Sequence, residues 1–146
     1  MKSNYFLLFV LSVFLVSFDQ PKNSQLEGAW KLVDANSFSE GKVVNHFQVN
    51  FTGSQIKVWT KNHFMFVGLF NSDSITTNSY GGGTYKLEGN RYEENILYHT
   101  YPDAVGNKVK MLLEIKNDTL IQTWPVNKEG QIDKNKFRIE KYIRAE

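Results

Sequence analysis

The sequence contains no cysteine in 146 residues. This absence excludes a disulfide framework and a lipid-modified cysteine at a mature amino terminus. Charge of one sign is also missing. Seventeen Lys and Arg face fifteen Asp and Glu, a formal net charge of +2, and part of that belongs to Lys2 in the leader. A near-neutral domain has no basic field for nucleic acid. Histidine occurs three times, and His46, His63 and His99 stand on separate predicted strands without the local spacing of a zinc site. His63 and His99 are the candidates for a single haem-ligating histidine, but His63 reads more simply as a polar residue at the start of a strand. No Gly-X-Ser-X-Gly elbow and no nucleophilic triad are visible. The Gly81-Gly82-Gly83 run is followed by neither Lys-Ser/Thr nor a helix, so it is no phosphate cradle. The expectation is therefore no metal, no cofactor and no catalytic set. No fixed-period repeat, low-complexity tract or convincing amphipathic helix is present.

One apolar run is present. Lys2 precedes an almost unbroken hydrophobic stretch over residues 5–16, ending at Ser17. That length suits a secretory signal and falls short of the roughly 20 residues that span a bilayer. Residues 1–18 read as a signal peptide, 19–25 as a polar linker and 26–146 as one domain. The expected location is secreted or periplasmic, in the cell envelope. Leu15 is large for the position three before a cut after Ser17, so an uncleaved anchor is the alternative and the only membrane attachment expected.

The domain is organised around residues 81–98. Tyr85 and Leu87, then Tyr92, Ile96 and Tyr98, alternate with polar residues on either side of Glu88-Gly89-Asn90-Arg91. This is a β-hairpin with a loop able to supply positive φ. The three glycines before it mark a bend, bulge or close backbone approach. Glu94 shares the parity of Tyr92, Ile96 and Tyr98, so a carboxylate is expected on the inner face beside them.

The other strands follow at spacings of about 8–12 residues. Residues 26–33 form a first strand with Leu26, Gly28, Trp30 and Leu32 on one face, and 34–41 read as a turn with a short helical segment. Residues 43–51 alternate cleanly, and 55–60 carry Ile56 and Val58 as paired apolar positions. Residues 63–70 are apolar on both parities and suit a strand covered on both faces. Residues 71–80 read as a polar loop with a short strand at best, a candidate lid beside the opening. Residues 109–115, 119–124 and 137–143 complete the set, with a polar excursion over 125–135. Aromatics form 14% of the chain, which favours large side chains inside an all-β protein. The fold class is all-β: a single antiparallel up-and-down β-barrel of roughly eight to ten strands.

Gly28-Ala29-Trp30 resembles the Gly-X-Trp signature of the lipocalin and fatty-acid-binding-protein group of small barrels. The order of residues 26–32, His63-Phe64-Met65-Phe66 and the glycine triplet with its hairpin is similar, more particularly, to an uncharacterised lipocalin-like family of exported bacterial proteins. The resemblance implies that Trp30 plugs one barrel end and that an arginine near the carboxyl terminus packs across its ring. Arg138 is the first match for that arginine and Arg144 the substitute.

A buried carboxylate needs a partner or a wet cavity, and Arg138, Tyr98 and Lys141 are the candidates for Glu94. With Phe64, Phe66, Tyr85, Gln122 and Trp124 as walls and Glu94, Tyr98 and Arg138 as polar contacts, the composition is that of a small-ligand site. The leading reading is non-catalytic binding of a small apolar or amphiphilic ligand. Two alternatives stand beside it. One is a filled barrel acting as an envelope interaction module through exposed aromatics such as Trp59 and the loops at 71–80 and 125–135. The other is an enzyme using Glu94 as acid or base, which requires a raised pKa. Roughly eight strands leave an interior that side chains fill or that holds one small ligand.

Overall fold

The structure is a computed structural model that describes residues 22–46, 52–72 and 75–145. The expected signal peptide at 1–18 lies outside these residues. The expected linker at 19–25 is described from Lys22 onward, and there it is folded: Asn23–Leu26 forms a one-turn helix, α1. Nine strands follow: β1 Gly28–Ser39, β2 Lys42–His46, β3 Thr52–Trp59, β4 His63–Ser72, β5 Ile75–Glu88, β6 Arg91–His99, β7 Lys108–Lys116, β8 Thr119–Trp124 and β9 Lys136–Arg144. A 3-10 turn, Pro102–Ala104, separates β6 from β7.

The strands pair antiparallel in the order β2-β1-β3-β4-β5-β6-β7-β8-β9, and β1 also pairs with β9. That last pairing closes eight strands into a barrel, with β2 as an extra strand against the far half of β1. The architecture is compatible with a lipocalin-like fold. Closure removes the exposed edges that an open sheet of this size would present.

One end is plugged. Leu26 and Trp30 are fully buried there, with Trp59, Tyr92, Leu113 and Leu120 packed above them. Trp30 Nε1 donates to the Leu26 carbonyl at 2.8 Å. Arg144 lies with its guanidinium carbon 4.0 Å from the Trp30 ring centre and donates to the carbonyls of Glu27 and Gln25 at 2.6 and 2.5 Å. The arginine across the tryptophan is therefore Arg144 and not Arg138. Register decides this, because β9 places Arg144 directly opposite Trp30 and Arg138 opposite Ser37.

Several expected boundaries move. The turn expected at 34–41 is strand as far as Ser39, because β9 gives it a partner along its length and Phe38 stacks on Phe137 at 4.5 Å. Tertiary pairing there overrides a run of turn-forming residues. The strand expected at 43–51 is seen as β2 to His46, and 47–51 lie outside the described residues. The expected lid at 71–80 is the continuation of the β4–β5 hairpin, paired through Phe70↔Thr77, Asn71↔Thr76 and Ser72↔Ile75.

Residues 63–70 are not covered on both faces. Phe64, Phe66 and Phe70 turn inward, while Met65, Val67 and Leu69 are exposed on the outside. In β3 the phase is the reverse of the expected one: Gln55, Lys57 and Trp59 are buried, and Ile56 and Val58 are the half-covered outer positions. Trp59, expected as an exposed contact aromatic, is 1% exposed.

The glycine triplet does what its composition allows. A side chain at Gly81 would meet the Phe66 ring at 2.6 Å, and a Cβ at Gly83 would overlap the Asn95 carbonyl oxygen. The β5–β6 register slips between Gly82 and Gly83, with Gly83 opposite Ile96 and Gly82 opposite Tyr98. Leu97 is thereby the extra residue of a β-bulge. A bulge flips the parity of everything beyond it.

Candidate functional site

Above the plug the barrel holds a cavity of about 500 Å³. Apolar walls come from Leu32, Phe66, Phe70, Ile96, Val109 and Met111. The side toward the β4–β5 hairpin is ringed by small polar groups and by His99, Tyr101 and Arg138. This volume lies within the range of about 300–1,000 Å³ usual for small-molecule sites.

The deep side is polar, and its residues arrive by strand alternation. β3 delivers Lys57, β6 delivers Glu94 and β8 delivers Gln122, all buried. Lys57 Nζ donates to Glu94 Oε1 at 2.6 Å and to Gln122 Oε1 at 3.4 Å. Tyr92 donates its hydroxyl proton to the same Glu94 oxygen at 2.9 Å and accepts from Trp59 Nε1 at 2.8 Å. The ammonium also stands over aromatic faces, 5.0 Å from the Trp59 ring centre and 5.1 Å from that of Phe64. Two opposite charges, a cage of π-faces, the Tyr92 hydroxyl and the Gln122 amide offset part of the desolvation that either ion alone would suffer.

A second chain runs along β9. Arg138 Nε donates to Glu140 Oε1 at 2.9 Å, Tyr142 donates its hydroxyl to Glu140 Oε2 at 2.8 Å, and Gln55 Nε2 donates to the Tyr142 oxygen at 3.2 Å. Arg138 Nη1 also reaches Ser37 Oγ at 3.1 Å. Burial is the main reason the phenols of Tyr92 and Tyr142 hold their protons well above the ordinary tyrosine range. The carboxylates of Glu94 and Glu140 respectively add to that shift by opposing a phenolate beside them.

Of the eight residues singled out from sequence, Phe66, Glu94, Trp124 and Arg138 line the cavity. Phe64, Tyr85 and Gln122 are buried beneath it in the plug and floor. Tyr98 is a correction: it is 70% exposed on the outer surface, because the bulge at Leu97 reverses its parity and turns His99 inward instead. The expected partners of Glu94 are corrected as well. Neither Arg138, Tyr98 nor Lys141 reaches it; Lys57 and Tyr92 do, while Lys141 pairs with Asp34 at 3.4 Å. Sequence reasoning missed Lys57, Gln55, Glu140 and Tyr142. The available signal is Trp59: a buried tryptophan at that position carries Lys57 and Gln55 inside with it by the parity of β3.

Among the described residues no three of His, Asp and Glu gather as a metal-ion cluster. His63 is exposed and bonds Asn62, and His99 packs edge-on against Phe66 at 5.7 Å. Glu94 takes both its hydrogen bonds on Oε1, and among the described residues no bond reaches Oε2.

Fold and site together define an all-β barrel with a polar-floored internal cavity. The family described as domain of unknown function (DUF4488) matches residues 25–146, and the chain belongs to it. A comparison with curated proteins finds no match.

Proposed function

We propose that this protein is an exported, lipocalin-like carrier that binds one small, largely apolar or amphiphilic molecule in its barrel without catalysis. The observation that supports the reading is the cavity of about 500 Å³, walled by apolar side chains and floored by a few polar ones. Apolar burial at about 25 cal/mol per Å² supplies affinity, and the Lys57–Glu94 and Arg138–Glu140 pairs orient a polar group. A barrel filled by its own side chains leaves no such volume, which weighs against the interaction-module alternative. The export part rests on the leader at residues 1–18, and attachment to a membrane would come only through that segment.

Native mass spectrometry after gentle purification tests the proposal. The expected result is a co-purified small molecule, or binding of an environment-sensitive apolar dye at about micromolar affinity, roughly 8 kcal/mol. Absence of both defeats it.

A further inference from the structure

Among the described residues the charged side chains that line the cavity are Lys57, Glu94, Arg138 and Glu140, with the imidazole of His99 beside them. They form two internal pairs, Lys57–Glu94 at 2.6 Å and Arg138–Glu140 at 2.9 Å. The charges of these four described groups therefore cancel in pairs before anything enters. A ligand that carried a net charge into this space would bring an ion with no unpaired counter-ion to meet it, and an unpaired charge in a low-dielectric interior is strongly disfavoured. A ligand with no polar group at all would leave the acceptor at Glu94 Oε2 without a donor, since no described residue supplies one.

We infer that the ligand is an uncharged apolar molecule bearing a hydroxyl, whose O–H donates to Glu94 Oε2 while its hydrocarbon body lies against Phe66, Phe70, Ile96 and Val109. This rests on the carrier reading and narrows it. A hydroxyl suits the site because it donates one hydrogen bond without altering the charge balance. A carboxylate would face Glu94 with like charge, and an ammonium would compete with Lys57 for the same group.

The test uses three probes of equal chain length, decanol, decanoate and decylammonium, each displacing a neutral apolar fluorophore from the full-length protein. Decanol is expected to bind on the order of tenfold tighter than either ion, about 1.4 kcal/mol. Charge variants must then move the selectivity in opposite directions. Glu94→Gln leaves Lys57 unmatched and should favour decanoate relative to decanol, whereas Lys57→Met leaves Glu94 unmatched and should favour decylammonium. Glu140→Gln, at a pair nearer solvent, supplies the same shift toward decanoate if the deep variants fail to fold. Wild-type preference for decanoate or decylammonium, or an order unchanged by every folded charge variant, overturns the inference while leaving the carrier reading intact. If the fluorophore itself does not bind, the carrier reading falls and takes the inference with it.

Discussion

Lys57 Nζ and Glu94 Oε1 lie 2.6 Å apart in the barrel interior, and each residue is less than 5% exposed. Removing one partner leaves the other as an uncompensated buried ion, which costs about 3–5 kcal/mol. Lys57→Met and Glu94→Gln should each lower stability by roughly that amount in denaturant titrations. The double variant should lose much less than the sum of the two. Additive losses would mean that the two groups do not act as a pair.

Arg144 covers Trp30 and donates to two carbonyls of the segment around α1. Arg144→Ala is expected to cost about 2–3 kcal/mol, combining a cation–π contact with charge-assisted hydrogen bonds. Arg144→Lys should recover little, because a lysine cannot present the planar fork to both carbonyls. Arg138→Ala should leave this end of the barrel undisturbed, and Trp30 fluorescence in a background lacking the other tryptophans reads the difference.

Alkaline stability follows from the buried phenols. Tyr92 and Tyr142 have folded pKa values above the unfolded value of about 10, so the native state binds these protons more tightly. Their contribution is fully present below about pH 10 and is lost as pH rises toward the folded values. Part of the tyrosinate absorbance should therefore appear only as circular dichroism reports unfolding, and Tyr92→Phe should shrink that part. Complete ionisation with the fold intact would contradict the burial of these hydroxyls.

Gly83→Ala places a methyl on the Asn95 carbonyl and should destabilise by about 1–3 kcal/mol or more. Gly106→Ala meets no neighbouring atom within 4 Å, and its difficulty is the φ of 85° alone, so it should cost less. Thermal melts of the two variants compare them directly, and equal shifts would remove the case for close approach at the bulge.

Much of the barrel was legible in the alternation of residues 85–96 and 109–115, where one parity is apolar and the other largely polar, whereas in 137–143 the inward parity is Arg138, Glu140 and Tyr142 and the apolar one faces out. Glu94 was legible for the same reason, as a carboxylate on the apolar parity. Legibility failed where periodicity carries no phase. In β3, Ile56 and Val58 look like the core residues, yet the outer surface there is apolar too, and the inner parity holds Lys57 because Glu94 on a strand three places away in the sheet supplies its counter-charge. Tyr98 failed because the slip at Gly82 and Gly83 leaves no mark on the partner strand. The exchange of Arg138 for Arg144 needed the β1–β9 register, which depends on a bulge between Leu32 and Asp34. The misses at Tyr98 and at Arg138 were long-range pairings that no local pattern encodes, whereas in β3 the parity of Trp59 was the one local signal.

The central claim is that the barrel holds usable space. Fluorescence titration with the neutral probe N-phenyl-1-naphthylamine should show one saturable site in the wild type, and Val109→Trp, which puts an indole into the cavity while the circular dichroism of the barrel is retained, should weaken it on the order of tenfold or more. No saturable binding, or equal binding by the wild type and the filled variant, would contradict the account.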